Sequence, residues 1–450
     1  MRVKFFAVIA MFSTMASFAQ QGPQVFTLRQ CIDYAIQKNT MVVNATLDEY
    51  IAKYKTQEYI GTGLPQANAA FNVQHSDPLR RMFIYGSPTT TSTFGVPAGE
   101  VVAIPNLFQL KNSADVSLTV SQLLFSNSFF TGLKAVKSYQ QLAVQNKEFN
   151  KVQVIESVCK AYYMAVISIE RISLFDINIG RVDSLLKQTI SMNKAGFAEK
   201  IDVDRLEVTL NNLVTEKARF ENMLQLSGVL LKYQMNMPID QELAIADKIQ
   251  DIKLDSAIIP GGGDFSNRPE YKQLQAQLRF DELNYKATKQ SYLPTASLGA
   301  NMGVFNQSAQ FDYLSQGHAF YPYATYSLSV NMPIFSGLSR LKRVQQSQLS
   351  FQKTQNNVER FKSTAATQTA SAEIQYKNSL QSLNAQKRNM DLAKEVARVT
   401  TIKFTSGIGP NIEVVTAEAA LREAQINYYN AFYDALVARV EYDKALGNLK

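Results

Sequence analysis

Few side chains in this sequence are equipped for bond-making chemistry, and those few are poorly placed for it. Metal-assisted or triad hydrolysis needs histidine beside carboxylates, thiols or a serine. The only histidines are His75 and His318, both in or beside Pro/Gly/Ser-rich loops. Neither has Cys, Asp or Glu at metal-ligand spacing, and neither offers a serine a plausible base. Cys31 and Cys159 are too few for a disulfide framework. Both fall on helical patterns, where a buried free thiol is a simpler expectation than a bridge. Gly261-Gly262-Gly263 has no Lys-Ser or Lys-Thr after it and reads as a linker, not a phosphate cradle. Basic residues number 46 against 38 acidic, for a net charge of +8. No run of them is interleaved with aromatics, so no nucleic-acid platform is expected. The expectation is no enzyme, no cofactor and no metal.

The elements carry the information instead. Arg2 and Lys4, an apolar core from Phe5 to Ala16 and a small-x-small site at Ser17-Phe18-Ala19 predict a secretory signal over residues 1–19. That run is too short for a membrane anchor, which needs about 18 apolar residues or more, and no other stretch is expected to reach that length. Cys31 lacks the small-residue context of a lipid-modified N-terminus. Beyond the signal one long pattern occurs twice: alternation, a loop, more alternation, then a very long helical hairpin. Ser117-Leu118-Thr119-Val120-Ser121 matches Ser327-Leu328-Ser329-Val330-Asn331, and Gly196 with Ile201-Asp202-Val203 matches Gly407 with Ile412-Glu413-Val414. Such an internal repeat fixes architecture before chemistry.

Four segments alternate with period two. Ala67, Ala69, Phe71 and Val73 oppose Gln66, Asn68, Asn72 and Gln74. Ala114, Val116, Leu118 and Val120 oppose Asp115, Ser117, Thr119 and Ser121. In the second copy Ala296, Leu298, Ala300, Met302 and Val304 oppose Ser297, Gly299, Asn301 and Gly303. Ala324, Tyr326, Leu328, Val330 and Met332 oppose Thr325, Ser327, Ser329 and Asn331. One such segment would suit a sheet on a soluble core. Four of about nine to eleven residues, each with an uncharged apolar face, suit strands with lipid on one side and water on the other. Phe71, Val73, Val116, Leu118, Leu298, Met302, Leu328 and Val330 are the expected lipid-facing residues. Four strands cannot close a barrel, and hydrocarbon tolerates no open edge. Three copies giving twelve strands is the economical closure. The loops 75–111 and 306–323 would face outward. Their Phe and Tyr residues either form an interfacial girdle or pack the loops.

The helices are too long for a globule. Val152, Ile155, Cys159, Tyr162, Val166 and Ile169 step by three and four, and Ile172, Phe175, Ile179, Val182 and Leu186 continue after a stutter. At about 1.5 Å per residue the run from Asn127 to Ala195 spans roughly 100 Å. Gly196 and Gly407 end the outgoing helices, and the chain returns through Leu206, Leu210, Leu213 and Leu224 in copy one.

The chain resembles the TolC-type outer-membrane efflux proteins over essentially its whole mature length. The carrying residues are Phe26-Thr27-Leu28-Arg29-Gln30-Cys31-Ile32-Asp33-Tyr34-Ala35, Asn267-Arg268-Pro269-Glu270-Tyr271, Ser327 through Gly337, and Lys403-Phe404-Thr405-Ser406-Gly407 with Ile412-Glu413-Val414 and Ala417-Glu418-Ala419. The resemblance implies an α+β membrane protein: a homotrimeric, twelve-stranded transmembrane β-barrel continuous with a long periplasmic α-helical coiled-coil barrel. It also implies a Gram-negative outer membrane and its lipid as the setting. The duct would serve a tripartite efflux or type I secretion system, with a periplasmic adaptor and an inner-membrane pump as partners. Gly196, Phe197, Gly407 and Ile408, with Lys403 before the second tip, match the adaptor-docking tips; Met192 in copy one departs from that basic position. Glu413 and its counterpart Asp202 match a periplasmic carboxylate gate, and Thr416 stands where a second acid is common. A simpler role for both acids remains open, because a helix start favours anions and Arg205 can pair with Asp202. The alternative function is a secreted coiled-coil spacer without channel activity.

The expected organisation is a signal at 1–19, periplasmic helices at 20–64 and a first β-hairpin with its loop at 65–126. A helical hairpin at 127–238 turns near 196, and 239–268 links the copies. A helix at 269–293, a second β-hairpin at 294–335 and a second helical hairpin at 336–450, turning near 407–411, complete the chain.

Overall fold

The computed structural model describes residues 24–252, 254, 265–311 and 319–449. The signal segment, Gly261-Gly262-Gly263, Tyr313 and His318 lie outside the described residues. The chain divides into two compact units. One comprises Ala52–Tyr139 and Arg279–Gln352; the other comprises Met1–Ile51, Gln140–Leu278 and Lys353–Lys450.

The first unit is built on a four-stranded antiparallel sheet. Its strands are β2 (Gln66–His75), β5 (Asn112–Ser126), β7 (Thr295–Ser308) and β8 (Tyr321–Asn331), hydrogen-bonded in the order β2-β5-β7-β8. β5 and β7 therefore join the two sequence copies at the centre, and β2 and β8 are left as edges. The register keeps every apolar face on one side. Ala69 pairs with Leu118, Leu118 with Met302 and Met302 with Ala324. One row over, Phe71, Val116 and Val304 align. A one-residue slip would scatter this face, so the alternation in sequence sets the register. A bulge between Leu123 and Phe125 takes β5 to its end at Ser126, where the following helix begins directly.

The expected loop at 75–111 is more ordered than its composition suggests. It holds a hairpin of β3 (Arg81–Tyr85) and β4 (Val101–Pro105), with the short helix α3 (Pro88–Phe94) between them. The Pro and Gly residues that read as loop are its turns, and the strands are only five residues long. β7 and β8 likewise run further toward the loop than the alternation marks, to Ser308 and from Tyr321.

The second unit is helical. α1 (Leu28–Lys38) opens with a capping box, in which the Thr27 hydroxyl accepts from the Gln30 backbone and the Gln30 side chain accepts from Thr27 N–H at 2.9 Å. α2 (Thr40–Gly61), α4 (Asn127–Lys194), α6 (Pro269–Lys289) and α7 (Ser339–Thr405) each have residues in both units, while α5 (Lys200–Met235) and α8 (Asn411–Ala445) belong to this one. The short β1 (Gln24–Phe26) pairs in parallel with β6 (Leu243–Ile245), so the inter-copy stretch does contain a strand. α5 ends at Asn236 in the left-handed region, φ 56°, and the ends of α1 and α5 cap each other. Asn39 donates to the Gln234 carbonyl at 2.7 Å, and Asn236 to the Lys38 carbonyl at 2.9 Å.

The main core gathers Cys31, Val158, Tyr162, Val166, Leu231 and Met235. Tyr162 is fully buried and donates to Asp247 at 2.6 Å, and the same carboxylate oxygen accepts from Leu28 N–H at 3.1 Å. One side chain thus pins the linker to the start of α1. The heptad seam of α4 holds from Ile155 to Val166; Ile169 breaks from it and is exposed, with the core resuming at Phe175 and Val182. The break thus comes one step before the stutter expected after Ile169. Cys31 and Cys159 are buried free thiols, and burial, with neighbouring charges, pushes both up to about 12. One expectation needs correction. α4 contains a window long and apolar enough to cross a membrane by length and composition, 56% of it buried inside the protein. A core helix that long passes the same test.

Candidate functional site

Both helical turns in the second unit are built alike. Gly196 and Gly407 sit at φ +82° and +75°, a conformation that residues with a side chain rarely adopt. Phe197 N–H reaches back to the Met192 carbonyl at 2.8 Å, and Ile408 N–H to the Lys403 carbonyl at 3.0 Å. Each closes the outgoing helix in a Schellman-type cap. The residue after each glycine is held out into solvent, and Phe197 and Ile408 are each 81% exposed. Lys403 is exposed, whereas Phe404 beside it is buried under the turn. A polar residue would serve a simple chain reversal, so two bulky apolar ones at matching positions leave an unpartnered surface.

The carboxylates singled out from sequence stand at the next helix starts. Asp202 is half-buried in the first turn of α5, accepts from Glu199 N–H at 3.3 Å and lies 3.6 Å from Arg205. The helix-start role is therefore occupied by Asp202. Glu413, in the first turn of α8, is exposed and has no ion pair among the described residues. The Thr416 hydroxyl is turned onto the Ile412 carbonyl at 2.8 Å, so it does not take the place of an acid.

Two residues that sequence reasoning missed tie this region together. Asn411 is 2% exposed and donates its side-chain N–H to the Asp202 carbonyl at 3.0 Å, joining the starts of α5 and α8. Glu418 is also buried and pairs with Arg181 at 2.7 Å; Arg181 also donates to Asn178, and Asn178 to Gln425. Glu418 had a readable signal. Val414, Ala417, Glu418 and Leu421 form one inward stripe at helical spacing, so a charge there demands a partner. Asn178 and Glu418 of this network also line a groove of about 460 Å³ at α5 and α8, together with Ile201, Arg205, Val208, Ile412 and Arg422.

On the sheet, the eight residues expected to meet lipid are all exposed: Phe71, Val73, Val116, Leu118, Leu298, Met302, Leu328 and Val330. They share one face by register. The opposite face carries Asn68, Thr119, Asn301 and Thr325 in line, with Thr119 donating to Asn301 at 3.2 Å. No group of His, Cys, Asp and Glu among the described residues could hold a metal ion.

Residues 265–448 match the outer membrane efflux protein family. The chain is 22% identical over 318 residues to the probable efflux pump outer membrane protein TtgC of Pseudomonas putida, covering 67% of this chain and 62% of that protein. It is 21% identical over 357 residues to the outer membrane protein TolC of Escherichia coli, covering 75% of this chain and 70% of TolC. Among solved structures, CusC superposes with a TM-score of 0.75 at 14% identity, covering 96% of this chain and 95% of CusC. The open state of the Neisseria gonorrhoeae outer membrane channel MtrE gives 0.73 at 18%, covering 94% and 89%. Over these spans the chain is similar to the TolC-type outer-membrane efflux proteins. The match spans less than two thirds of the length of the first of these relatives.

Proposed function

We propose that this protein is the outer-membrane exit duct of a tripartite efflux or type I secretion system. The observation that carries the reading is the sheet: four strands hold their apolar residues in register on one exposed face, while β2 and β8 keep unpaired edges. In hydrocarbon an unpaired edge costs several kcal/mol for each unsatisfied group. Edge-to-edge closure by a homotrimer gives twelve strands, lipid outside and the Asn/Ser/Thr face around water. The long helices then continue as a periplasmic coiled-coil barrel. The exposed Phe197 and Ile408 are the surface a periplasmic adaptor meets, and an inner-membrane pump drives the substrate. Glu413 narrows and charges the periplasmic entrance once per copy; Asn411 holds α5 and α8 of each copy in step. Drug, metal and polypeptide cargo all suit this arrangement.

Planar-bilayer recording of the detergent-extracted protein tests the duct. Cation-selective unitary currents are expected, because carboxylates around a narrow axis attract cations and repel anions. In Glu413→Gln the selectivity should weaken, together with block by multivalent cations from the periplasmic side. A protein that stays monomeric and never conducts would defeat the reading. Conduction with unchanged selectivity in Glu413→Gln would leave the duct and remove the gate.

A further inference from the structure

The polar face of the sheet carries a single formal charge. Asp115 is the only Asp, Glu, Lys or Arg in β2, β5, β7 and β8. It lies near the loop end, level with Asn72 on β2 and Phe305 on β7, and Phe305 is level with Tyr321 on β8. Tyr323 belongs to the same face two residues on, and its hydroxyl donates to Asp115 Oδ2 at 2.8 Å. To do so its ring must cross β7, and it crosses at Gly303, which pairs with both Ser117 and Tyr323. A methyl group at Gly303 would stand 2.4 Å from the Val116 carbonyl oxygen and 3.0 Å from the Tyr323 hydroxyl. The glycine is the notch that lets the phenol reach the carboxylate.

This arrangement is richer than a tyrosine needing an acceptor. An amide or hydroxyl at 115 would accept the same hydrogen bond without placing a charge on a strand whose other face is apolar. Ionisable residues in such strands mark function by default. On the face of the sheet that holds Asp115, Phe305 and Tyr321 stand level with it and Tyr323 two residues on, with Phe305 38% and Tyr321 64% exposed. Ring faces attract a cation through their quadrupole, and a carboxylate among them adds the countercharge. Ordinary inorganic cations stay hydrated beside a lone carboxylate; organic cations present apolar surface that rings can cover.

We propose that Asp115, Phe305, Tyr321 and Tyr323 form a seat for organic cations of the quaternary-ammonium kind at the loop end of the sheet. Asp115 supplies charge, Phe305 and Tyr321 supply ring faces, and Tyr323 is a positioning residue that fixes the carboxylate. That the seat lines an exit path rests on the duct reading; binding itself needs only one chain's sheet.

The test is a ligand-observed NMR titration of the full chain, extracted in detergent, with choline and with its uncharged carbon isostere dimethylbutanol at low salt. Choline binds and the isostere does not. Asp115→Asn, which keeps an acceptor for Tyr323, weakens choline by about tenfold or more, as loss of a charged partner should. Phe305→Leu and Tyr321→Leu, both at exposed positions, weaken it severalfold and cover the case in which Asp115→Asn does not fold. Equal binding of choline and the isostere, or choline binding unmoved in Asp115→Asn or in both ring variants, overturns the proposal. Bilayer recording of the same preparation separates the two readings. A chain that binds choline but never conducts refutes the duct and keeps the seat, whereas conduction without choline binding keeps the duct and refutes the seat.

Discussion

At the scale of single residues, charge is used sparingly and in partnership. Glu156 on α4 accepts from Lys160 at 2.8 Å and from Lys444 of α8 at 2.6 Å, and Lys160 also bridges to Glu441 at 2.8 Å. Burial pulls Glu156 upward, but the two lysine hydrogen bonds and their charges outweigh it and hold the carboxyl below its ordinary 4.5. The same network raises Lys160 above its ordinary 10.5, against the opposing effect of burial. A depressed carboxyl stabilises the fold above its unfolded value and loses that contribution as pH falls through the folded value. A raised lysine stabilises below its unfolded value and loses the contribution as pH rises through the folded one. The network should therefore hold fully between these limits. Glu156→Gln should cost about 1–3 kcal/mol near neutrality. Thermal melting should show that loss shrinking as pH falls below the ordinary 4.5 and through the depressed folded value, because the unfolded carboxyl takes up its proton first. A constant deficit across that range would mean the variant acts through packing. Cys31 and Cys159, pushed up to about 12 and buried, should resist thiol reagents until the protein unfolds. Rapid labelling of the native protein would contradict their placement in the core.

At the scale of elements, the strand faces were the most legible part of the sequence. Apolar residues alternating with polar ones over a whole strand leave one register that keeps a face apolar, so Leu118 and Leu328 could be placed on that face from the pattern alone. Replacing either with Arg should impair insertion by about 2–4 kcal/mol at mid-bilayer depth, while Arg at Ser117 or Ser329 on the other face should be tolerated. Heat-modifiable outer-membrane protein in each variant measures this; equal behaviour of the two faces would refute the register. The tips were legible because glycine at positive φ is a local demand of the turn, needing no tertiary contact. The β3–β4 hairpin was not, because its strands are short and apolar on both faces, so no period emerges. Nor were Asn411 and Glu418, whose partners Asp202 and Arg181 are distant in sequence. Local pattern shows that a buried polar group needs a partner but cannot say which one. The stutter in the α4 seam reads from sequence as falling after Ile169, and packing moves the break one step earlier, because Ile169 leaves the core.

At the scale of the whole molecule, two kinds of surface are left uncovered in the single chain. The sheet has ten residues of free backbone along β2 and eleven along β8. Such edges template further pairing unless something covers them. The antiparallel order β2-β5-β7-β8 lets β8 of one copy meet β2 of the next with alternation preserved, and a cyclic arrangement leaves no edge at all. Mass measurement in detergent should find a trimer, and a stable monomer would refute the closure. The tips pose the second demand, since Phe197 and Ile408 are largely presented to water with nothing local to gain from it. Changing both to Asp removes apolar surface without disturbing the glycines that make the turns. Trimer yield and outer-membrane location should be unchanged in that double variant, because neither depends on the tips. Export should be abolished, because an adaptor that docks on apolar side chains would meet desolvated carboxylates instead. An efflux assay in cells carrying the double variant decides the matter. Export at the wild-type rate, with trimer intact, would move the docking surface away from the turns and onto the helix flanks, where Ile201, Val208 and Ile412 line the groove between α5 and α8.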